Sequence, residues 1–513
     1  MALFKTRGVV YKPVKDVNLA SDSTEVYLQA NVKAPRMTGI LVKVFTWFLE
    51  SRIFGTLLLY ILKGNNLIHT VNHKEQEVKS LDSGLTPQEQ VQLAIECLPT
   101  SSEKAQNEAN TSFSRWTIMD YYKAYSSEAI TPRAVAERFI AAVDESSKAP
   151  LSMGFFINYN PEDIRRQADE STLRYQKGEP ISVLDGIPVA VKDEIDCLPY
   201  PTTGGTKWLQ KERSCIDDAC CVKRLRLCGA ILVGKTNMHE LGVGTSGINP
   251  HYGFHIANDV QRTGNTKINL PLLSFSKSIR DIKLAKYDKW FDDCSDEVRL
   301  CCTQALTELQ DYYGWKTIDV TLPDIEAMRL AHYLTIGSEC STWFDSFGEK
   351  HVAELGWDAR VALSVYGSFS SKEYIKAQKL RNRQAKFHKK IFAKADVIVS
   401  PTTGVTAYSI QDDALKTGEL DYINGAALVR YSISGNFLGL PAVTVAVGYD
   451  KLGLPIGLQF IGRPWAEATL IHLAFSMQAS KKEACSLSSF IFLQLTQFIH
   501  ARDGKVLSYR SKA

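Results

Sequence analysis

One lysine at the end of an apolar run has the clearest capacity for acid–base chemistry in this sequence. The run DGIPVAVKD occupies residues 185–193, and its alternation places Lys192 where a strand ends, a position at which α/β sheets carry functional groups. Burial there would disfavour the ammonium form and lower the pKa, leaving a neutral lysine that acts as a general base. The alternative is a lysine that is solvated or paired with Asp193, Glu194 or Asp196.

The elements that must position this lysine alternate between helices and strands. Residues 130–143 have apolar positions at helical spacing, with Thr131 as the N-cap and Pro132 in the first turn. Further helices are predicted over 218–228 and 371–394. Strands are predicted at 183–191, 230–235, 396–400, 441–447 and 456–461. The alternation predicts an α/β domain with a mostly parallel or mixed sheet.

Composition argues against several classes of function. The net charge of +4 over 513 residues is small for a nucleic-acid-binding protein, and the nine basic residues of the 371–394 helix are interpreted as a solvated face. Eleven cysteines without a CxxC pair indicate free thiols in a reducing compartment. The sequence predicts no metal site, because the cysteines at 215, 220, 221 and 228 fit no common zinc spacing. It predicts no cofactor either.

The N-terminal part predicts a helical arm. Residues 38–62 are strongly apolar, but Lys43, Glu50 and Arg52 interrupt them before a membrane-spanning length is reached. The arm is expected to pack on the main domain; the alternative is helices lying on a membrane or on a partner. The first residues have no apolar signal-peptide core, so we expect an intracellular protein, cytoplasmic or peripherally attached to a membrane.

The predicted organisation has four parts. They are a helical arm (1–80), a polar connecting segment (81–112), an α/β domain (113–477) and a C-terminal tail of different character (478–513).

Several ordered motifs resemble the amidase signature family, and within it the plant fatty acid amide hydrolases. They are DGIPVAVKD (185–193), TGG (203–205), GAILVGKTNMHELG (229–242), GTSGINPHYG (244–253), DVIVSPTT (396–403), GLPA (439–442), GLPIGLQ (453–459), GRP (462–464) and the PRMTG entry at 35–39. The resemblance covers about residues 30–253 and 280–477. It implies a mixed sheet surrounded by helices, with an N-terminal helical arm.

The resemblance also implies roles for particular residues. Lys192 matches the family's base, which works through a bridging serine and a nucleophilic serine held on a glycine- and serine-rich loop. Gly242 and Thr245 match the wall of the substrate site. The implied substrate is a long-chain N-acyl amide, such as an N-acylethanolamine, cleaved at its C–N bond to fatty acid and amine. A homodimer and peripheral membrane contact are implied as possible partners, and nucleic acid is not.

The glycine- and serine-rich loop is not found where the resemblance requires it. It should follow Gly253, but residues 254–279 contain no Gly-Gly-Ser-Ser run, and the resemblance resumes only near Ile279. Ser246, in a small glycine-flanked turn, is the sole alternative nucleophile with suitable local sequence. We therefore expect an incomplete core and an amidase by descent that is inactive or impaired. The alternative is a non-catalytic protein that binds lipid or a partner, or a truncated isoform.

Overall fold

The computed structural model describes residues 19–20, 26–30, 34–51, 53–64, 88, 118–148, 154–252 and 282–464, with eight residues between 466 and 477. The predicted segments 81–112, 254–279 and 478–513 lie almost entirely outside these residues. The helices are α1 (Gly39–Glu50), α2 (Gly55–Gly64), α3 (Ile118–Ser126), α4 (Pro132–Ser147), α5 (Pro161–Gln176), α6 (Leu209–Glu212), α7 (Cys220–Leu227), α8 (Asp288–Phe291), α9 (Asp296–Tyr313), α10 (Ile325–Phe344), α11 (Gly348–His351), α12 (Trp357–Gly367), α13 (Ser371–Phe392), α14 (Ala414–Thr417), α15 (Tyr422–Val429) and α16 (Ile433–Leu438). The strands are β1 (Phe156–Asn158), β2 (Pro188–Lys192), β3 (Ile231–Thr236), β4 (Lys283–Lys286), β5 (Lys316–Asp319), β6 (Val397–Pro401), β7 (Ala442–Tyr449) and β8 (Pro455–Gly462), and short 3-10 turns occur at Glu240–Gly242 and Val352–Glu354.

The chain divides into two compact units, each with its own sheet. The three-stranded unit contains the described residues 118–148, 154–238 and 251–252, and the five-stranded unit contains 34–64, 239–250 and 282–464. Strands combined with many helices confirm the predicted mixed α/β class.

The three-stranded unit has the strand order β1-β3-β2, in which β3 is parallel to β2 and antiparallel to β1. The first five residues of β3 are buried, and the strand predicted at 230–235 is found one residue further along the chain. Helix α4 begins as predicted, because the Thr131 side chain accepts a hydrogen bond from the Ala134 amide and Pro132 opens the first turn. A cap of this kind stabilises a helix by about 1 kcal/mol. Ile140 of α4 and Ile164 of α5 pack on Ile231 of β3.

The predicted strand over 183–191 is shorter than expected. The observed strand β2 begins only at Pro188, because residues 182–187 form consecutive turns. The amide of Asp185 donates to the Ser182 carbonyl at 3.0 Å, and the amide of Ile187 donates to that of Leu184 at 3.0 Å. Gly186 sits between them with φ +79°, a conformation that no strand residue adopts.

The five-stranded unit has the strand order β5-β4-β6-β8-β7. Strand β4 is parallel to β5 and β6, whereas β8 is antiparallel to β6 and β7. The strands predicted at 396–400, 441–447 and 456–461 are therefore found, displaced by one or two residues at their ends. Trp290, Ile398 and Ile461 belong to a fully buried cluster over this sheet.

Helix α13 confirms the prediction over 371–394 and begins with a capping box formed by Ser370 and Glu373. The interpretation of its basic residues as a solvated face is wrong for Arg383. That side chain is fully buried, and its Nε donates to Asp324 Oδ2 at 2.9 Å. The neighbouring Gln384 donates to the Pro323 carbonyl at 2.7 Å, so this face of α13 holds the turn that precedes α10.

The N-terminal helices belong to the five-stranded unit. Val42 and Leu49 of α1 are buried against Val361 of α12, and the Thr46 hydroxyl donates to the Trp357 carbonyl at 3.3 Å. No single helix of the described residues has the length and apolar character of a membrane span. The pair α1 and α2 reaches it together, but the chain bends by 107° between them.

We predict a measurable effect of His388 on the pH dependence of stability. This α13 residue is buried, its Nδ1 lies 2.9 Å from the Gln384 carbonyl oxygen, and burial lowers its pKa to about 4. The folded-state pKa is thus below the ordinary 6.5. Between pH 6.5 and pH 4 the imidazole of His388 is protonated in the unfolded chain but remains neutral in the folded chain. The free energy of unfolding therefore falls by up to about 1.4 kcal/mol for each pH unit in this range.

The variant His388→Asn keeps a donor for the Gln384 carbonyl and removes the titration. Urea unfolding at pH 7.5 and 5.0 should therefore show a smaller loss of stability in His388→Asn than in the parent chain. Lys390→Gln, an exposed change on the same helix, should keep the parental difference. An unchanged difference in His388→Asn would contradict the prediction.

Candidate active site

The turn that leads into β2 is held by the carboxylate of Asp185. This fully buried side chain accepts hydrogen bonds from Arg174 Nε at 2.8 Å, Arg174 Nη2 at 2.7 Å and the Ser171 hydroxyl at 2.7 Å. The Ile181 amide donates to it at 2.9 Å. Because Arg174 and Ser171 belong to α5, the start of the DGIPVAVKD motif is fastened to that helix before the chain enters the sheet.

Lys192, the predicted base, lies at the end of β2 in the three-stranded unit. Its side chain is 50% exposed, and its Nζ lies 2.9 Å from Glu194 Oε1. The burial that the sequence analysis expects around this residue is therefore not found in the described part of the chain. This matches the alternative of a lysine paired with a neighbouring acid, and the role of Lys192 as a base stays a prediction that the family resemblance implies.

The next residue, Asp193, is buried, and its carboxylate accepts several hydrogen bonds. Its carboxylate accepts from the amides of Thr203 at 3.3 Å and Gly205 at 3.0 Å, and from the Thr203 hydroxyl. The backbone carbonyl of Asp193 accepts from the Gly204 amide at 3.0 Å. The TGG motif at 203–205 thus donates hydrogen bonds to both the side chain and the carbonyl of Asp193. These bonds hold the backbone directly after Lys192.

A second lysine, which the sequence analysis did not single out, completes this network. Lys235 of β3 is fully buried, its Nζ lies 3.3 Å from Asp193 Oδ1, and it donates to the Thr202 hydroxyl at 2.9 Å. The sequence offered one signal for it: Lys235 ends the apolar strand GAILVGK, as Lys192 ends the preceding motif. Of the two lysines that end these motifs, Lys235 is buried and Lys192 is accessible.

The acids near Lys192 each have a defined partner. Arg213 Nη1 donates to Asp196 Oδ1 at 2.8 Å, and this hydrogen bond holds the pKa of Asp196 below its ordinary value. Glu194 pairs with Lys192. In the residues that the structure describes, no group of three or more His, Cys, Asp or Glu side chains is placed to hold a metal ion.

The predicted wall residues Gly242 and Thr245 lie in the five-stranded unit. Both line a cavity of about 500 Å³, and Ser246 lines it with them. Residues of α10, α12 and α15 form much of the remaining wall. The structure therefore brings Gly242, Thr245 and Ser246 to one cavity, while Lys192 belongs to the other unit.

The segment that supplies these three residues is held by polar contacts. Glu240 is buried and its Oε2 accepts from the Gly356 amide at 2.7 Å, which fixes the segment to the start of α12. His239 Nε2 lies 3.5 Å from Asp358 Oδ2, and burial raises the pKa of Asp358. Leu241 adopts φ +51°, which is uncommon for a residue other than glycine.

The same segment also has the spacing GxGxxG at residues 242–247. In a dinucleotide-binding site this pattern joins a strand to the start of a helix. Here it follows the 3-10 turn Glu240–Gly242, and the chain reaches residue 252 without entering an α-helix. The structural context therefore does not support a dinucleotide site.

The family is established by comparison with known proteins. The sequence profile of the Amidase family matches residues 138–263 and 272–471. A fatty acid amide hydrolase of Oryza sativa subsp. indica is 34% identical over 586 aligned positions, covering 91% of this chain and 95% of the rice protein. One of Arabidopsis thaliana is 33% identical over 585 positions, covering 91% and 96% respectively.

A solved structure agrees with the fold. A bacterial aryl acylamidase of the amidase signature family superposes with a TM-score of 0.59 over 74% of this chain and 98% of its own, at 14% identity. The comparisons confirm the resemblance expressed by the motifs from DGIPVAVKD to GRP. This chain belongs to the amidase signature family.

Proposed function

We propose that this chain is an amidase of the fatty acid amide hydrolase type by descent, in which hydrolysis is lost or severely impaired. The observation that carries the proposal is an interruption of the family match. The family match is interrupted between residues 263 and 272, inside the stretch 254–279 that has no Gly-Gly-Ser-Ser run. The alignment to the rice protein has about 120 positions without a residue in this chain (586 less 91% of 513), which supports a missing block.

The missing loop would remove the largest contributions to catalysis. Amide hydrolysis of this type needs a serine that attacks the carbonyl and backbone N–H groups that stabilise the oxyanion. Loss of one oxyanion donor alone costs about 100- to 1000-fold in rate, and loss of the nucleophile costs more. Without these groups Lys192 has no serine to deprotonate. Ser246 remains the sole replacement that the sequence offers.

Retained ligand binding is the second part of the proposal. The cavity that Gly242 and Thr245 line has about 500 Å³, within the usual range of about 300–1,000 Å³ for small-molecule sites. Apolar side chains such as Leu334, Val365 and Ile433 contribute to its wall. A long-chain N-acyl amide, of which N-acylethanolamines are one kind, would bury part of its acyl chain there.

An alternative function is non-catalytic binding to membranes or to other proteins. Several large apolar residues of the α1–α2 region are exposed, among them Ile40 (75%), Trp47 (64%), Ile53 (79%) and Leu57 (58%). Exposed apolar groups clustered in this way typically mark an interaction surface. A peripheral intracellular membrane is the partner we propose, and a homodimer through the same surface is the competing outcome.

We predict that a fluorophosphonate probe will not label the purified chain, because such probes react only with activated serines. The rice fatty acid amide hydrolase, treated in parallel, serves as the positive control. Labelling measured by mass spectrometry should remain at the level of a heat-denatured sample. Labelling that disappears in Lys192→Ala would contradict the proposed loss of activity, and its disappearance in Ser246→Ala would identify the replacement nucleophile.

We predict that the α1–α2 surface binds phospholipid vesicles. In the double variant Trp47→Glu, Leu57→Glu, the fraction that floats with phosphatidylcholine vesicles should fall at least 10-fold, since burying each side chain stabilises binding by about 1.5–3 kcal/mol. Ile375→Glu replaces a 55% exposed apolar residue on α13 and is the matched control. Equal flotation of all three proteins would exclude this surface, and a dimer broken only by the double variant would favour self-association.

Sequencing the transcript distinguishes the possible origins of the missing glycine- and serine-rich loop. We predict that sequencing across codons 250–285 will return the same continuous reading frame as the protein sequence. A transcript that encodes a Gly-Gly-Ser-Ser run in this interval would contradict the proposed loss of activity. Coexistence of both forms would identify this chain as a truncated isoform.

A further inference from the structure

Strand β7 forms an edge of the five-stranded sheet that no other described strand covers. It pairs with β8 on one side, at the end of the sheet opposite β5. Its sequence AVTVAVGY has no charged residue and no proline, and four of its eight residues are β-branched, which favours extended backbone. A bulge between Ala446 and Gly448 shifts the register with β8, so the regular part of this edge is residues 442–446, the β7 edge.

The pairing with β8 determines which backbone groups of β7 face outward. The Gly462 amide donates to the Pro441 carbonyl at 2.8 Å, so these two residues form a hydrogen-bonded pair of the ladder, in which proline has no N–H for the second bond. Such pairs alternate along an antiparallel ladder, so every second residue of β7 bonds to β8 and the others do not. The residues whose N–H and C=O groups point away from β8 are therefore Ala442, Thr444 and Ala446, and no described residue forms a backbone hydrogen bond with them on that side.

The side chains of β7 leave room for another strand beside it. Those of Ala442, Thr444 and Ala446 are exposed, small and uncharged. Val445 and Val447 are buried on the opposite face, where β7 packs on α9. Because a shift by one residue would expose these valines, the register of β7 is fixed, and the same three residues always present their backbone groups outward.

The other edges of the two described sheets each have a feature that discourages pairing. Strand β5 has four residues, of which Lys316 and Asp319 are charged, and the residue after it forms an antiparallel bridge with Ala20. Strand β1 has three residues, and β2 begins with Pro188 and ends with Lys192. Short length, proline and lysine are usual protections of an edge strand. The β7 edge has none of these three, and its bulge lies beyond the regular residues.

We propose that the β7 edge pairs with the β7 edge of a second copy of this chain, antiparallel and centred on Thr444, so that one sheet continues through two copies. A two-fold axis at Thr444 places Ala442 of one copy opposite Ala446 of the partner subunit. Every outward residue then meets an outward residue, and each opposed pair exchanges two backbone hydrogen bonds.

A second copy fits this edge better than another occupant for two reasons. Backbone pairing needs an extended strand whose own edge is open, and among the described strands β7 is the one that offers it. The edge also has no charge that would select a charged partner. Because pairing about a two-fold axis covers the edge of both copies, the assembly closes as a dimer. This association does not depend on whether the chain hydrolyses amides.

Sedimentation velocity on the full chain over a series of concentrations tests the proposal. The parent chain should form a dimer. Thr444→Lys should weaken its association by at least about 10-fold, because two ammonium groups would then face each other at the axis. Thr444→Val removes the hydroxyl without adding a charge and should dimerise like the parent. Thr317→Lys makes the same change at an exposed threonine of β5, the opposite edge strand, and should also dimerise like the parent.

A charge exchange separates opposed pairing at Thr444 from loss of the fold. Thr444→Lys and Thr444→Glu should each be monomeric, with the circular dichroism and thermal unfolding of the parent chain. An equimolar mixture of the two should recover a mixed dimer, because position 444 of one copy faces the same position of the other. A mixture of folded variants that stays monomeric would overturn the proposal.

Two further results would also overturn it. One is a parent chain that is monomeric at every concentration. The other is a dimer that the double variant Trp47→Glu, Leu57→Glu abolishes and Thr444→Lys leaves intact, since that dimer would form through the α1–α2 region. Loss of the dimer in Thr444→Lys and its persistence in the double variant would support pairing at β7.

Discussion

A charge that is taken out of water must find partners for all of its lone pairs, and the carboxylate of Asp193 meets this requirement in the three-stranded unit. Two backbone amides, one hydroxyl and the Lys235 ammonium surround it. Removing one member of such a group typically costs about 3–5 kcal/mol, because the remaining charge stays buried. The TGG loop, the end of β3 and the exit from β2 are thus fixed through one side chain. The backbone at Lys192 is therefore held partly through the contacts of the adjacent Asp193.

This arrangement gives the two lysines different physical characters. Lys235 is buried and its charge is balanced by Asp193, so its role in this unit is structural. Lys192 remains accessible and pairs with Glu194, an exposed contact that contributes little to stability. If the serine loop was lost, as proposed, the DGIPVAVKD motif still has a structural role through the hydrogen bonds of Asp185 and Asp193.

Local sequence was sufficient for some elements, such as α4 and β3, and insufficient for the site. Helix α4 and strand β3 could be predicted because caps, periodicity and apolar runs act within about ten residues. Burial of Arg383 could not, because its partner Asp324 lies 59 positions away and is brought close only by the packing of α10 on α13. The same holds for Lys235, which needs Thr202 and Asp193.

The division into two units has a consequence for how the chain tolerates change. All helices and strands from α3 to β3 belong to the three-stranded unit, and all from β4 to β8 belong to the five-stranded unit. Each unit has its own buried apolar clusters. In the sequence, the interval 253–281 lies between these two groups of elements. If a block was lost there, as proposed, the described clusters on either side each consist of residues from one unit alone.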